Sequence, residues 1–186
     1  MSTRYLIDTN VLIPFYSKDF FLELGSRGLP IHWSRSIEAE FRRVWARLYP
    51  DKAGQAADIL SLMRAVIPDW RAPEPRKVMQ AVQLPDPADR HVLAAAVGIG
   101  ANIIVTRNLR DFPPGALAPY DVEARTPDRV LCDLFDERPD RVVAAGAAMR
   151  ARLKRPRQTS DEWLEGLAAG HLGDLAARLQ AYKGEL

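Results

Sequence analysis

The sequence predicts an α/β fold: a mostly parallel central sheet flanked by helices, followed by an all-helical C-terminal subdomain. Three observations predict it. Short apolar runs alternate with longer segments whose apolar residues recur at helical spacing, and such alternation needs crossover connections between parallel strands. Strand signals cease after about Arg125, where helical segments follow one another. A chain of 186 residues, 47% of them hydrophobic, buries one good core or one domain with a small appendage. The expected division is 1–125 and 126–186.

Taken in order, "RYLID" (Arg4 to Asp8) reads as a short buried strand, followed by a polar turn and a new apolar segment. "PIHW" around Ile31 is a weaker strand. Ser34 to Tyr49 carries Ile37, Phe41, Val44, Trp45 and Leu48 at helical spacing, and another helix covers Ala53 to Val66. "DPADRHVLAAAVGIG" is a helix ending near Gly98 or Gly100, glycine being the usual stop. "NIIVT" (Asn102 to Thr106) is the clearest strand, and Pro113, Pro114 and Gly115 keep "TRNLRDFPPGAL" a loop. "APYDVEA" suggests a last edge strand. The C-terminal part then reads as four helices: "TPDRVLCDLF", "RPDRVVAAGAAMRARL", "TSDEWLEGLAAG" and "HLGDLAARLQAY". Thr126 precedes Pro127, and Thr159 has Glu162 three residues on, a capping-box pattern.

Composition excludes several classes. With a formal net charge of +2 the chain is mildly basic, which permits a nucleic-acid partner without requiring one. A single cysteine, Cys132, leaves no intramolecular disulfide framework and no cysteine-based zinc pattern, as expected of a reducing cytoplasm. The opening apolar segment is broken by Asp8 and Asn10, unlike a signal peptide. No stretch approaches the roughly 20 apolar residues of a membrane helix, so no membrane role is expected.

The predicted topology places the candidate acids together. Helix N-termini in a parallel sheet sit on the edge where strands end, the edge at which open α/β sheets bind ligands. Asp8 ends the first strand, Asp86 and Asp89 open a helix, Asn108 and Asp111 follow "NIIVT", and Glu38 and Glu40 lie early in their helix. Asp86 and Asp89 also have a purely structural reading, as N-cap and capping-box acid around Pro87 at the first helical position. Crowded carboxylates raise one another's pKa, and a divalent cation removes that difficulty. Mg2+ or Mn2+ suits hard oxygen donors. Zinc does not, since His32, His91 and His171 lack ligand spacing.

"YLIDTNVLI", then "SIEAEF", then "DPADRHVLAAAVGIGANIIVTRNLRDFP" resemble, in order and spacing, the PIN-domain family, and within it the VapC-type ribonuclease toxins of prokaryotic toxin–antitoxin pairs. The resemblance covers roughly residues 3 to 122. More weakly, the C-terminal helices are similar to an extension found on one group of PIN proteins. The resemblance implies a PIN-like fold and a Mg2+- or Mn2+-dependent endoribonuclease leaving a 5′-phosphate and a 3′-hydroxyl. It further implies a cognate antitoxin and a homodimer. Asp8, Glu40 and Asp89 would be the catalytic metal ligands, with Asp86 an extra acid nearby. Periodicity alone does not separate Glu40 from Glu38; the resemblance selects Glu40. Where many members carry an aspartate just after the threonine of "TRN", this chain has Asn108 and then Asp111, so the fourth ligand is either of them. Asn10, Thr106, Arg107 and Arg110 are the candidates for substrate contact.

Each of these residues also has an ordinary reading. His91 is expected to pack or to orient a ligand, and Arg90 to partner acids or phosphate. The basic run Arg150 to Arg157 reads as an RNA contact or a solvated helix end, and Trp33, Trp45 and Trp163 as core or interface anchors. Two other functions compete with the nuclease. A haloacid-dehalogenase-like phosphatase also opens on an aspartate after its first strand, but needs a second one two residues later, where this chain has Asn10. A catalytically silent PIN scaffold binding protein or RNA has no reason to keep costly clustered charge.

Overall fold

The computed structural model describes residues 3–154 and 156–186. Arg155, within the basic run, lies outside them. β1 (Tyr5–Ile7) leads into a single turn, α1 (Thr9–Leu12), and Pro14 separates this from α2 (Phe15–Ser26). β2 (Ile31–Ser34) follows, and the Ser34 hydroxyl caps α3 (Arg35–Leu48) by accepting from the Ile37 N–H. Then come α4 (Gln55–Val66), the two-residue β3 (Arg71–Ala72) and α5 (Arg76–Ala81). A 3-10 turn (Pro87–Asp89) enters α6 (Arg90–Ile99), which leads to β4 (Ile103–Val105). After the short α7 (Pro114–Leu117), β5 (Glu123–Arg125) closes the sheet. The chain continues in α8 (Pro127–Glu137), α9 (Pro139–Arg152), α10 (Ser160–Ala169) and α11 (Gly173–Leu179).

The five strands pair entirely in parallel, in the order β3-β2-β1-β4-β5. This is the parallel α/β architecture with a helical C-terminal part that the sequence predicts. β5 is the predicted edge strand, with Ile103, Ile104 and Val105 opposite Glu123, Ala124 and Arg125. β1 and β4 are buried throughout, as central parallel strands must be, and α6 lies along the sheet beneath its Val92-to-Ala96 apolar run. Gly98 lets α6 approach closely, since a Cβ there would sit 2.2 Å from the Pro73 carbonyl oxygen. Gly100, at φ 60°, is the left-handed stop.

Three stretches differ from the sequence reading. The loop expected at "TRNLRDFPPGAL" contains the short α7, because Pro114 falls at the first helical position, where its missing N–H costs nothing. The apolar segment after Asp8 is α1 and α2, and β3 and α5 were not anticipated. α2 is apolar on several sides because it packs against α4, α9 and β2 at once, which blurs its period. α5 buries no residue fully and packs only Val78 partly against the core, so it shows no continuous apolar stripe. The connection order reverses at β1: the chain leaves β1 towards β2 on one side and returns to β4 on the other. Such a switch point opens a crevice outside the carboxyl ends of the strands.

Candidate active site

Asp8 and Thr106 come one residue after β1 and β4, whose register sets Ile7 opposite Val105. The two side chains therefore meet across the switch point, with the Thr106 hydroxyl donating to Asp8 Oδ2 over 2.8 Å. Asn10 Nδ2 donates to the same oxygen at 2.6 Å and the Thr9 N–H to Oδ1 at 2.6 Å. Asn10 is itself aimed by the Arg107 N–H, which donates to its Oδ1 at 2.9 Å. Asp8 is only 6% exposed. Burial pushes its carboxyl up to about 6 despite the hydrogen bond from Thr106, and Glu40 pushes in the same direction.

Glu40 and Glu38, indistinguishable by period, have separate environments. Glu38 is buried beneath α3, where it accepts from Trp33 Nε1 at 3.2 Å and Arg64 Nε at 2.7 Å. Glu40 faces the crevice, accepting from the Thr9 hydroxyl at 2.7 Å, with His91 Nε2 at 3.7 Å. His91 holds the Glu40 carboxyl below its ordinary value, with Thr9 adding to the effect. The His91 ring is fixed by Nδ1 bonding the Ala88 carbonyl at 2.7 Å. Burial opposes its charge, but Glu40 and that carbonyl raise its pKa overall.

"DPAD" divides its labour. Asp86 is a cap, accepting from the Ala88 N–H at 2.8 Å, but it caps the 3-10 turn rather than α6. Asp89 stands at the N-cap of α6 and forms no side-chain cap hydrogen bond, so the capping-box expectation does not hold there. Its carboxyl is pushed up to about 6 by burial first, then by Asp8, Asp86, Asp111 and Glu40. Asn108 donates its amide to Asp111 and its backbone N–H to the Thr106 hydroxyl. The loop acid and amide are thus tied to each other and, through Thr106, to Asp8.

The acids surround one space without closing on it. Among the described residues no three His, Cys, Asp or Glu side chains are gathered at metal-binding spacing. The donor chemistry nevertheless fits a hard divalent cation: oxygen donors, two carboxyls at about 6, and a field concentrated on Asp89 by four other carboxylates.

The other predicted contacts are placed as follows. Arg110 is exposed beside Asp111. Arg107 turns away from the crevice, donating to the Gly170 carbonyl at 3.0 Å and to Ser17 Oγ at 3.4 Å. In the basic run, Arg150 bonds the carbonyls of Gln158 and Leu186, and Arg152 pairs with Glu23. Trp33 stacks on Trp70, Trp45 lies between Phe41 and Tyr49, and Trp163 is fully buried. Sequence reasoning passed over Arg43, three residues after Glu40 on α3; that spacing, which puts both on one helix face, was the available signal. A cavity of about 1020 Å³ lies beside β5 and α8 and is lined by none of the crevice acids.

The PIN domain family matches residues 4–110, and the VapC50 C-terminal domain matches residues 127–181. The chain belongs to the PIN-domain family. Among curated proteins it is similar to "Putative ribonuclease VapC50" of Mycobacterium tuberculosis (strain ATCC 25618 / H37Rv), 56% identical over 48 residues. That segment spans 26% of this chain and 28% of the relative's length. No solved structure matches significantly. No helix among the described residues is long and apolar enough to cross a membrane.

Proposed function

We propose that the protein is a Mg2+- or Mn2+-dependent endoribonuclease, the toxin of a type II pair neutralised by a cognate antitoxin, acting in the cytoplasm as a homodimer. The observation that carries this reading is Asp89: without a cap hydrogen bond, and held up at about 6 by burial and then by four neighbouring carboxylates at the switch point of a PIN fold. Asp8, Glu40 and Asp89 would hold the cation, with Asp111, Asn108 and Asp86 at its margin. When bound, the cation supplies positive charge that activates water and stabilises the phosphoryl group.

The chain's own residues prepare that site. Thr9, Asn10 and Thr106 fix the Asp8 carboxylate by three hydrogen bonds, so neither oxygen can turn away. Thr9 links the first two acids, its backbone N–H donating to Asp8 and its hydroxyl to Glu40. His91 keeps Glu40 ionised and oriented. Arg110, exposed beside Asp111, would meet substrate phosphate. Asn10 donates to Asp8, a role opposed to the general acid that a haloacid-dehalogenase-like phosphatase needs there. We keep the division into 1–125, carrying catalysis, and 126–186 as part of this proposal.

The test is cleavage of a labelled single-stranded RNA pool by wild type and Asp89→Asn, with Mg2+, Mn2+ or EDTA. Wild type is expected to cut only with metal, and Asp89→Asn to lose on the order of 100-fold or more, at least the effect of losing a ligand's supporting partner. Absence of metal-dependent cutting by folded wild type, across the pool, would favour the silent scaffold instead.

A further inference from the structure

Beside the acids, α3, α5 and the turn into α6 enclose a surface cavity of about 460 Å³. Its charged lining is Arg43, Arg90 and His91, with Ser36 and Gln80 completing the polar wall. His91 faces Glu40. Among the described residues the two guanidinium groups have no ion pair and no side-chain hydrogen bond, and Arg90 Nε is buried without a partner. Their neighbours behave otherwise, for Arg42 and Arg64 both pair with Glu38. Glu74, behind Ser36 of the lining, accepts from the Ser36 N–H at 3.2 Å and its hydroxyl at 2.7 Å, so it is directed to Ser36 instead. Arg43 acts on Glu40 only as a distant charge that helps lower its pKa.

Two uncommitted arginines border a cluster of carboxylates, and one of them has a buried nitrogen that a ligand could satisfy. Guanidinium groups match phosphate oxygens in pairs, and Arg90 directly follows Asp89 in the chain. We propose that this cavity seats a backbone phosphate of single-stranded RNA next to the bond being cut, held by Arg43 and Arg90. The inference rests on the nuclease reading and assigns that site a second, non-reacting phosphate. An acidic peptide fits less well, because it would press further carboxylates against Glu40 and Asp89. A nucleic acid must lie across those residues in any case.

The experiment measures anisotropy of a labelled single-stranded RNA oligonucleotide in EDTA, where no cutting occurs, over a salt series. It compares full-length wild type with Arg43→Gln, Arg43→Glu, Arg90→Gln and a control, Arg138→Gln. Arg138 follows α8, which starts after the carboxyl end of β5, so it lies at the opposite edge of the sheet. Arg43 is exposed, so its variants change charge without disturbing the core. Each arginine variant at the cavity is expected to weaken binding about tenfold and to flatten the salt slope by about 0.7, the loss of one single-strand phosphate contact. Arg43→Glu should exceed Arg43→Gln, and Arg138→Gln should match wild type. With Mn2+, KM for cutting should rise more than kcat falls.

Unchanged affinity and slope in the cavity variants would overturn the subsite while wild-type cutting left the nuclease reading intact. RNA bound with the arginine-dependent slope but never cut would do the reverse. Tighter binding of a DNA oligonucleotide of the same sequence would overturn the assignment to RNA. Loss of binding to a labelled acidic peptide in the same variants, with RNA affinity unchanged, would overturn it in favour of a protein ligand.

Discussion

Asp8 and Asp89 hold charge where the fold disfavours it, which has a measurable consequence in the metal-free protein. Folding raises both carboxyls from 3.8 to about 6. Between those values the folded chain binds more protons than the unfolded one, so these groups make stability fall as pH rises through the window. In EDTA, thermal unfolding is expected at a higher temperature at pH 5 than at pH 7.5. Mn2+ should raise Tm more at pH 7.5 than at pH 5, because only the ionised acids bind it. Asp89→Asn should remove part of the slope. Asp89 is half-exposed, so after solvent screening the variant gains about 1 kcal/mol at pH 7.5, or about 2–4 °C in Tm, while losing cleavage. A flat pH profile in the metal-free wild type would contradict this account. Asp8 was legible in the sequence because a carboxylate inside "YLIDTNVLI" has no packing reason to be there. The capping pattern of "DPAD" was not, since its hydrogen bonds depend on whether the chain enters α6 directly or through a 3-10 turn.

At the scale of the element, α3 assigns its two glutamates by two residues of helical rotation. Glu38 goes to the interior with Trp33 and Arg64, and Glu40 goes to the crevice with Thr9 and His91. Removing Arg64 leaves a carboxylate that is 3% exposed with the Trp33 hydrogen bond and a longer Arg42 contact at 4.0 Å. Arg64→Ala should therefore destabilise the fold by about 2–3 kcal/mol, somewhat less than a fully buried pair because Arg64 is partly exposed. Cleavage per folded molecule should stay near wild type. Glu40→Gln should do the opposite, keeping Tm within about 0.5 kcal/mol of wild type and losing activity and metal response together. Denaturant melts alongside cleavage assays check both; an Arg64→Ala protein of normal stability and reduced cutting would reverse the two roles. Periodicity left this pair unresolved because both positions flank the apolar stripe, and only the packing of α4 and β2 beneath α3 decides which is covered. Strong local signals read well: Ser34, Thr126 and Thr159 cap helices through their hydroxyls, Thr159 with the full capping box. Elements held only by tertiary contact, such as α5 and the two-residue β3, carry no local signal to read.

For the whole molecule, the C-terminal helices are joined to the loop that shapes the crevice. α10 presses on α2, with Trp163 packed 6.0 Å from Phe20 between ring centres. Its last turn accepts Arg107, whose backbone N–H aims Asn10 at Asp8. These contacts join residues far apart in sequence, which is why the sequence located the helices but not what they touch. The tightest point is Gly166 on α10, where a Cβ would lie 2.0 Å from the Tyr16 hydroxyl oxygen and 2.6 Å from the ring carbon bearing it. A methyl group there cannot be absorbed by a flexible side-chain tip, because the ring of Tyr16 stands behind the hydroxyl. Gly166→Ala should therefore lever α10 from α2 at about 1–3 kcal/mol, the usual range for overpacking. Because α10 carries the carbonyl that receives Arg107, cleavage per folded molecule should fall as well, with the loss appearing in kcat. Gly173→Ala, at the start of α11 where nothing lies within 4 Å of the added methyl, should change neither stability nor kcat. If Gly166→Ala loses stability but cuts RNA at the wild-type rate, the C-terminal helices support the fold without setting the geometry of the acids.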